Sequence, residues 1–362
     1  MKKRISILSL MMTIIFAFTA CAKAEVKDTE GKLSVGVTIY PLKYFAERIG
    51  GDNVEVFSII ADGADAHTFD PKPKDLASLT NTDIFIYNGL GMEEWIDSVL
   101  SVVDGTSVKV LEASNGIEAL PAVEDDHDHA EETAEESTDH SHDGETKEEH
   151  AEYSHDGETE EEHAEHSHDE EVEESSDNDN EEVADEDHDH DHGEFDPHVW
   201  LSLDLAIIQA NNIKNAIIEL DPENEDYYKA NFESLLNDLT SLKDEYTEKF
   251  NALENKKFVT GHAAFAYLCN EFGLTQSSIS DVFGEGELTA KYLEELINYT
   301  KENNVKVIFS ESTASTKEAE TLAKEAGATV EKIYSIETQE DDLDYLEAMR
   351  YNLDKIYETL SK

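Results

Sequence analysis

A chain of 362 residues with a formal net charge of −58 has room for two domains of ordinary size. Its 27 lysines and arginines stand against 85 acidic residues, which excludes nucleic acid as a partner, because phosphate binding needs clustered cations. The charge is concentrated: residues 124–194 hold 35 acidic residues and one lysine, Lys147, a segment charge of −34 that leaves −24 for the rest. Attraction for cations is the natural consequence.

The chain opens MKKRISILSLMMTIIFAFTAC. Lys2, Lys3 and Arg4 precede an uncharged, largely apolar run over 5–20, the pattern of an export signal and too short for a comfortable membrane span. The run ends at Cys21 in FTAC, which resembles the bacterial lipobox, with Phe18 in place of the usual leucine. The resemblance implies that Cys21 takes lipid and heads an anchored linker over 21–32. A plain secretory signal with an incidental cysteine is the alternative.

From residue 33 apolar runs alternate with helix-like stretches. LSVGVTIY (33–40) predicts a strand, PLKYFAERIG (41–50) a helix and NVEVFSII (53–60) a strand. Then follow a helix over 73–81, a strand over 83–89, a helix over 91–103 and a strand over 107–113. A second set begins after 255, with strands in KKFVTGH, QSSIS, VKVIFSE and ATVEKI, and helices from Ala263, over 289–303, over 316–326 and over 341–361. Such alternation implies parallel sheets covered by helices. The expected fold is therefore α/β, with a first lobe over 33–121 and 195–220 and a second over 255–362. Cys269, in an apolar helical stretch, has no evident disulfide partner and is expected to be a buried small hydrophobe.

The segment 221–254 should join the lobes as one long helix. Asp221 suits the N-cap and Pro222 the first helical position. Apolar residues at 228, 232, 235, 239, 242, 246, 250 and 253 step by three and four along one stripe. About 32 residues at ~1.5 Å each give roughly 48 Å. An ordinary surface helix would show the same stripe; the length and position suit a strut that permits only modest lobe movement.

Residues 122–194 interrupt the first lobe. Almost free of large apolar groups, they cannot bury a core, and disorder is the expectation. A thirteen-residue repeat runs through them as SHDGETKEEHAEY (141–153), SHDGETEEEHAEH (154–166) and SHDEEVEESSDND (167–179). Twelve of the fifteen histidines lie here: His127, His129, His140, His142, His150, His155, His163, His166, His168, His188, His190 and His192. Histidines on a chain without fixed structure cannot preorganise one tetrahedron, so each metal they hold costs ordering entropy. Weak, multiple and exchangeable binding is expected, and solubility alone would need no histidine.

Three histidines remain. His67 lies in DGADAHTFDPKPKDL, His198 in FDPHVWLSL and His262 in VTGHAAFAYL. Each falls at the carboxyl end of a predicted strand or the start of a helix, where open α/β sheets place ligand sites. Zinc prefers four tetrahedral N, S or carboxylate ligands. With no thiolate available, the fourth should be a carboxylate or water. Glu311, in VKVIFSESTAS, again follows a predicted strand; a helix N-terminal acid is its alternative role.

HTFDPKPKDL, DPHVWLS, GHAAFAYL and VIFSESTASTKEAETLAKEAG resemble the metal-binding solute-binding proteins of bacterial ABC transporters, of the zinc-uptake type. The similarity covers roughly 33–121 and 195–362. It implies two α/β lobes joined by a long helix, with metal held in the cleft by His67 and His198 from the first lobe and His262 and Glu311 from the second. It also implies an exported, lipid-anchored monomer that gives Zn²⁺ to a permease and its ATPase and is not an enzyme. There are departures. Ala66 stands where a proline commonly precedes the first ligand. Manganese-type relatives use a carboxylate where this chain has His262, and a late aspartate that falls near Tyr334 here. Three imidazoles and one carboxylate favour Zn²⁺ over harder Mn²⁺. A manganese-type receptor, a surface metal-buffering or adhesion protein and a secreted zinc hydrolase are the other readings; for the last, no HExxH is present.

Overall fold

Strand β1 (Leu33–Val37) buries Val35, Gly36 and Val37 in succession, as a strand covered on both faces must. The computed structural model describes residues 31–122, 193–284, 288–312 and 316–362. The leader, Cys21 and the twelve repeat-segment histidines lie outside the described residues.

After β1, Pro41 sits in the first turn of helix α1 (Tyr40–Gly50), where its missing N–H costs nothing. Gly51, at φ 52°, ends the helix in a left-handed conformation open to glycine. Then come β2 (Val54–Ser58), α2 (Pro73–Leu79), β3 (Ile84–Tyr87), α3 (Ile96–Val103) and β4 (Lys109–Glu112). The four strands form one parallel sheet in the order β2-β1-β3-β4. The chain re-emerges at residue 193, makes a single 3₁₀ turn over Val199–Leu201 and enters α4 (Leu203–Leu220), whose N-cap Ser202 accepts from Leu205 N–H.

The second sheet repeats the topology. Strands β5 (Lys257–Thr260), β6 (Thr275–Ser278), β7 (Val307–Ser310) and β8 (Thr329–Lys332) are parallel in the order β6-β5-β7-β8. Helices α6 (Ala266–Phe272), α7 (Ala290–Glu302), α8 (Thr316–Ala326) and α9 (Tyr345–Leu360) accompany them. In both sheets the strand order reverses beside the first strand, which leaves a crevice at the carboxyl ends.

The long helix α5 runs over Glu225–Asn251, 27 residues and so roughly 40 Å. It is shorter than expected because Pro222–Asn224 form a 3₁₀ turn of their own. The side chain of Asp221 accepts from Asn224 and Tyr228 instead of capping the helix. Residues 228, 232, 235, 239, 242, 246 and 250, the whole helical part of the expected stripe, are buried. α5 packs on α1 and α4 of the first lobe and on α6 and α9 of the second. One core runs through all of these, from Val35 and Ile84 through Leu235 and Tyr246 to Phe258 and Phe309.

Helix α9 also crosses between lobes. Asp344 and Glu347 form its capping box, and the Tyr345 ring packs edge-on against Phe45 of α1, with centroids 4.9 Å apart. Its hydroxyl donates to the Trp200 carbonyl at 2.6 Å, and Trp200 Nε1–H donates to the Ser335 carbonyl at 2.8 Å. Glu271 of α6 accepts from the Leu203 and Asp204 amides at the start of α4. These bonds fasten the second lobe to the segment that follows His198.

Candidate metal centre

The four connections that build the site all leave the carboxyl ends of strands or meet them. His67 lies in the connection from β2 to α2, where Asp65 Oδ1 accepts its backbone N–H at 2.9 Å. His198 is held at three points. Asp196 Oδ1 lies 2.9 Å from both its backbone nitrogen and its ring Nδ1, and the preceding Pro197 carbonyl accepts from Asn88 Nδ2 at 2.9 Å. Asn88 is itself fixed by Gln209 and by the buried Glu93. His262 follows β5 by two residues, and its carbonyl accepts from Thr260 Oγ1 at 2.7 Å and Gln276 Nε2 at 2.8 Å.

The fourth group is Glu337, five residues beyond β8. Its carbonyl accepts from the Tyr40 amide at 2.8 Å, which ties this second-lobe connection to the start of α1. The preceding Ile336 has φ 63°, a conformation costly for a β-branched residue and one that persists only where surrounding structure enforces it. Here the Trp200 bond to Ser335 and the Tyr40 bond to Glu337 flank it on either side.

One donor atom from each of His67, His198, His262 and Glu337 lies within 4.8 Å of the others. Glu337 Oε1 is 3.8, 3.7 and 3.8 Å from the Nε2 atoms of His67, His198 and His262. The two Nε2 atoms of His198 and His262 are 3.4 Å apart. A tetrahedral zinc with legs of about 2.0–2.1 Å needs donors about 3.3–3.4 Å apart; the His198–His262 pair already has this spacing, Glu337 Oε1 stands a few tenths of an ångström outside it, and His67 Nε2 lies within 4.8 Å of both other imidazole donors. His67 Nε2 and Glu337 Oε1 are buried and have no hydrogen-bond partner among the described residues. Unpaired buried donors and acceptors are costly, and a shared cation satisfies both.

Electrostatics agree with this geometry. Burial works against charge on Glu337, but the facing imidazoles outweigh it and hold the carboxyl well below the usual carboxylate range. Burial likewise opposes protonation of His198, yet Asp196 and Glu337 raise its pKa above the ordinary histidine value. Both shifts mark a pocket built for one negative charge among imidazoles, ready to be neutralised by a cation. The His67 side chain is 10% exposed, against 0%, 5% and 3% for His198, His262 and Glu337, and is the most accessible of the four.

Among the residues expected from sequence, the structure brings the three histidines together and leaves Glu311 outside the cluster. Glu311 stands behind His262, its Oε1 3.4 Å from that ring's Nδ1, on the nitrogen that does not face the other donors. The carboxylate in the cluster is Glu337. Tyr334 is not part of the cluster: its hydroxyl bonds Asp341 and its amide bonds Asn352. Glu337 also lies beyond a strand's carboxyl end, but five residues past it and behind a left-handed Ile336, so its place in the sequence does not single it out. Cys269 is buried and free.

The family of zinc-uptake complex component A, periplasmic (ZnuA), matches residues 35–359. The chain belongs to the ZnuA family. It is 32% identical over 369 residues to the high-affinity zinc uptake system protein ZnuA of Bacillus subtilis (strain 168), covering 99% of each chain. It is 30% identical over 360 residues to the zinc-binding lipoprotein AdcA of Streptococcus pneumoniae (strain ATCC BAA-255 / R6), covering 97% of this chain and 60% of that longer relative. Among solved structures, the Zn(II)-bound ZnuA-like domain of Streptococcus pneumoniae AdcA superposes with a TM-score of 0.65 at 26% identity, over 92% of this chain and 100% of that one. A ZnuA deletion mutant with zinc bound gives a TM-score of 0.66 at 27% identity, over 91% of this chain and 99% of that chain. The two-lobed architecture read here as a ZnuA-type fold is thus shared with zinc-loaded structures.

Proposed function

We propose that this protein is the extracytoplasmic zinc receptor of an ABC transporter, with His67, His198 and His262 Nε2 and one Glu337 oxygen as the ligands of a single Zn²⁺. The observation that carries the proposal is the convergence of three imidazole nitrogens and one carboxylate, drawn from both lobes, with all four donor atoms within 4.8 Å of one another. Zinc is the cargo here and undergoes no chemistry. Asp196 fixes the ring of His198, the lobes exclude water, and the shared core restricts opening to small adjustments near the His67 side. Four protein donors close the shell, whereas a catalytic zinc keeps an open position and usually a general base beside it. The protein acts as a binding receptor and not as a hydrolase.

Delivery to a permease and its ATPase, and anchoring through lipid on Cys21, belong to the same proposal. No helix among the described residues is long and apolar enough to cross a membrane. The acidic, histidine-rich segment over 122–194 serves to gather Zn²⁺ through its charge and weak imidazole pairs. Titration of chelator-stripped protein with zinc tests the core of the proposal. One tight equivalent should bind, with further weak equivalents attributable to the segment. Absence of a tight equivalent would overturn it.

A further inference from the structure

Glu311, the residue immediately after β7, is 1% exposed. Both of its carboxylate oxygens are buried and neither has a hydrogen-bond partner among the described residues. Leaving a buried carboxyl group without a partner is strongly unfavourable. An arrangement of this kind persists where a donor arrives in the functional state. One donor is placed to arrive: His262 Nδ1, 3.4 Å from Glu311 Oε1.

A neutral imidazole carries a single ring proton. Once Nε2 gives its lone pair to a metal, that proton must sit on Nδ1, where Glu311 is waiting. Shortening the contact to about 2.9 Å makes it a full hydrogen bond. The first lobe already shows the same arrangement completed, with Asp196 Oδ1 2.9 Å from His198 Nδ1. The backbone of His262 is pinned by Thr260 and Gln276, so the ring's rotation is the freedom left to fix.

We propose that Glu311 is a positioning residue for the metal site: it accepts the Nδ1–H of His262, selects the tautomer that presents Nε2 to the ion, and holds the ring in the ligating orientation. Each lobe thus backs its own imidazole with its own carboxylate, Asp196 for His198 and Glu311 for His262. Outer partners of this kind typically contribute ten- to hundredfold in metal affinity. The proposal rests on the zinc reading above and adds a role that reading does not need.

The test uses the full mature chain with Zn²⁺ as the probe. Affinity is measured by chelator competition, and the imidazole protons are followed by NMR with histidine-selective ¹⁵N labelling at one equivalent of zinc. Glu311→Gln should weaken the tight site ten- to hundredfold while one zinc still binds. The Nδ1–H signal of His262 should move upfield, and that of His198 should stay. Glu311→Asp, which keeps the charge at a shorter reach, should recover part of the affinity and gives a second reading should the Gln variant fold poorly. In a His262→Gln background, Glu311→Gln should add no further loss, because its route of action is gone. Affinity within twofold of wild type, an unmoved His262 signal, or an undiminished effect in the His262→Gln background would overturn the positioning role alone. Failure of the wild-type chain to bind tight zinc would overturn the zinc reading with it.

Discussion

Replacing Glu337 with glutamine separates the cluster carboxylate from Glu311 more sharply than any other single change. The side chain is buried, with Oε1 3.7–3.8 Å from three imidazole nitrogens, and glutamine keeps its volume, so no cavity opens. What is lost is the anionic oxygen of the shell. Removing the outer partner of a ligand typically costs ten- to hundredfold in affinity; removing the ligand itself should cost at least about a hundredfold, or ~2.7 kcal/mol. Thermal unfolding at buffered free zinc, with residues 122–194 removed to eliminate weak sites, reads this directly. At a concentration one hundred times the wild-type Kd, binding adds about 2.7 kcal/mol to stability, whereas a variant weakened a hundredfold sits at its own Kd and gains about 0.4 kcal/mol. At about 2–4 °C per kcal/mol for a body of this size, zinc should raise the wild-type Tm by about 5–10 °C and that of Glu337→Gln by only ~1 °C. A Glu337→Gln protein that keeps the full zinc shift, while Glu311→Gln loses it, would refute the assignment and restore Glu311 as the ligand.

Removing residues 122–194 should leave the tight-site affinity nearly unchanged, lower the total zinc stoichiometry and slow growth only under zinc scarcity; calorimetry and uptake across a zinc dilution series check this. In direct competition at near-neutral pH the cleft should prefer Zn²⁺ to Mn²⁺, since three imidazoles and a single carboxylate suit the softer ion; a manganese preference in that assay would contradict the donor set. Protonated His198, with its raised pKa, contributes stability to the zinc-free fold that is full below about pH 6.5 and is lost as pH rises through the raised value. Zinc must displace that proton, so the zinc-induced rise in Tm should shrink as pH is lowered from about 8 to about 6. Leu235→Ala, in the fully buried stripe of α5, should cost ~2–5 kcal/mol in denaturant unfolding while the folded fraction keeps its zinc affinity.

Much of this arrangement is legible in the sequence because the signals are local. Strand-helix alternation gives both sheets, and the three-four stepping over 228–250 marks the buried face of α5 residue by residue. His67, His198 and His262 stand out because twelve of the fifteen histidines belong to the repeat segment and these three each meet a strand end or a helix start. Two departures trace to tertiary bonds that leave no local mark. The helix after His262 begins at Ala266 and not Ala263, since the Ala263 amide goes to the Asp281 carbonyl and the Phe265 amide to the Gln276 side chain. Glu337 is brought into the site by a left-handed Ile336, a conformation that glycine or asparagine would have announced and isoleucine hides. Glu311 stands at the end of β7, but strand-end position does not tell which imidazole nitrogen a carboxylate will meet.

Zinc-edge anomalous diffraction from crystals grown with one equivalent of Zn²⁺ bears most directly on the central claim. A single strong peak is expected about 2.0–2.1 Å from the Nε2 atoms of His67, His198 and His262 and from one oxygen of Glu337, with Glu311 against His262 Nδ1. A principal peak outside this cluster, or one ligated by Glu311 with Glu337 turned away, would contradict it.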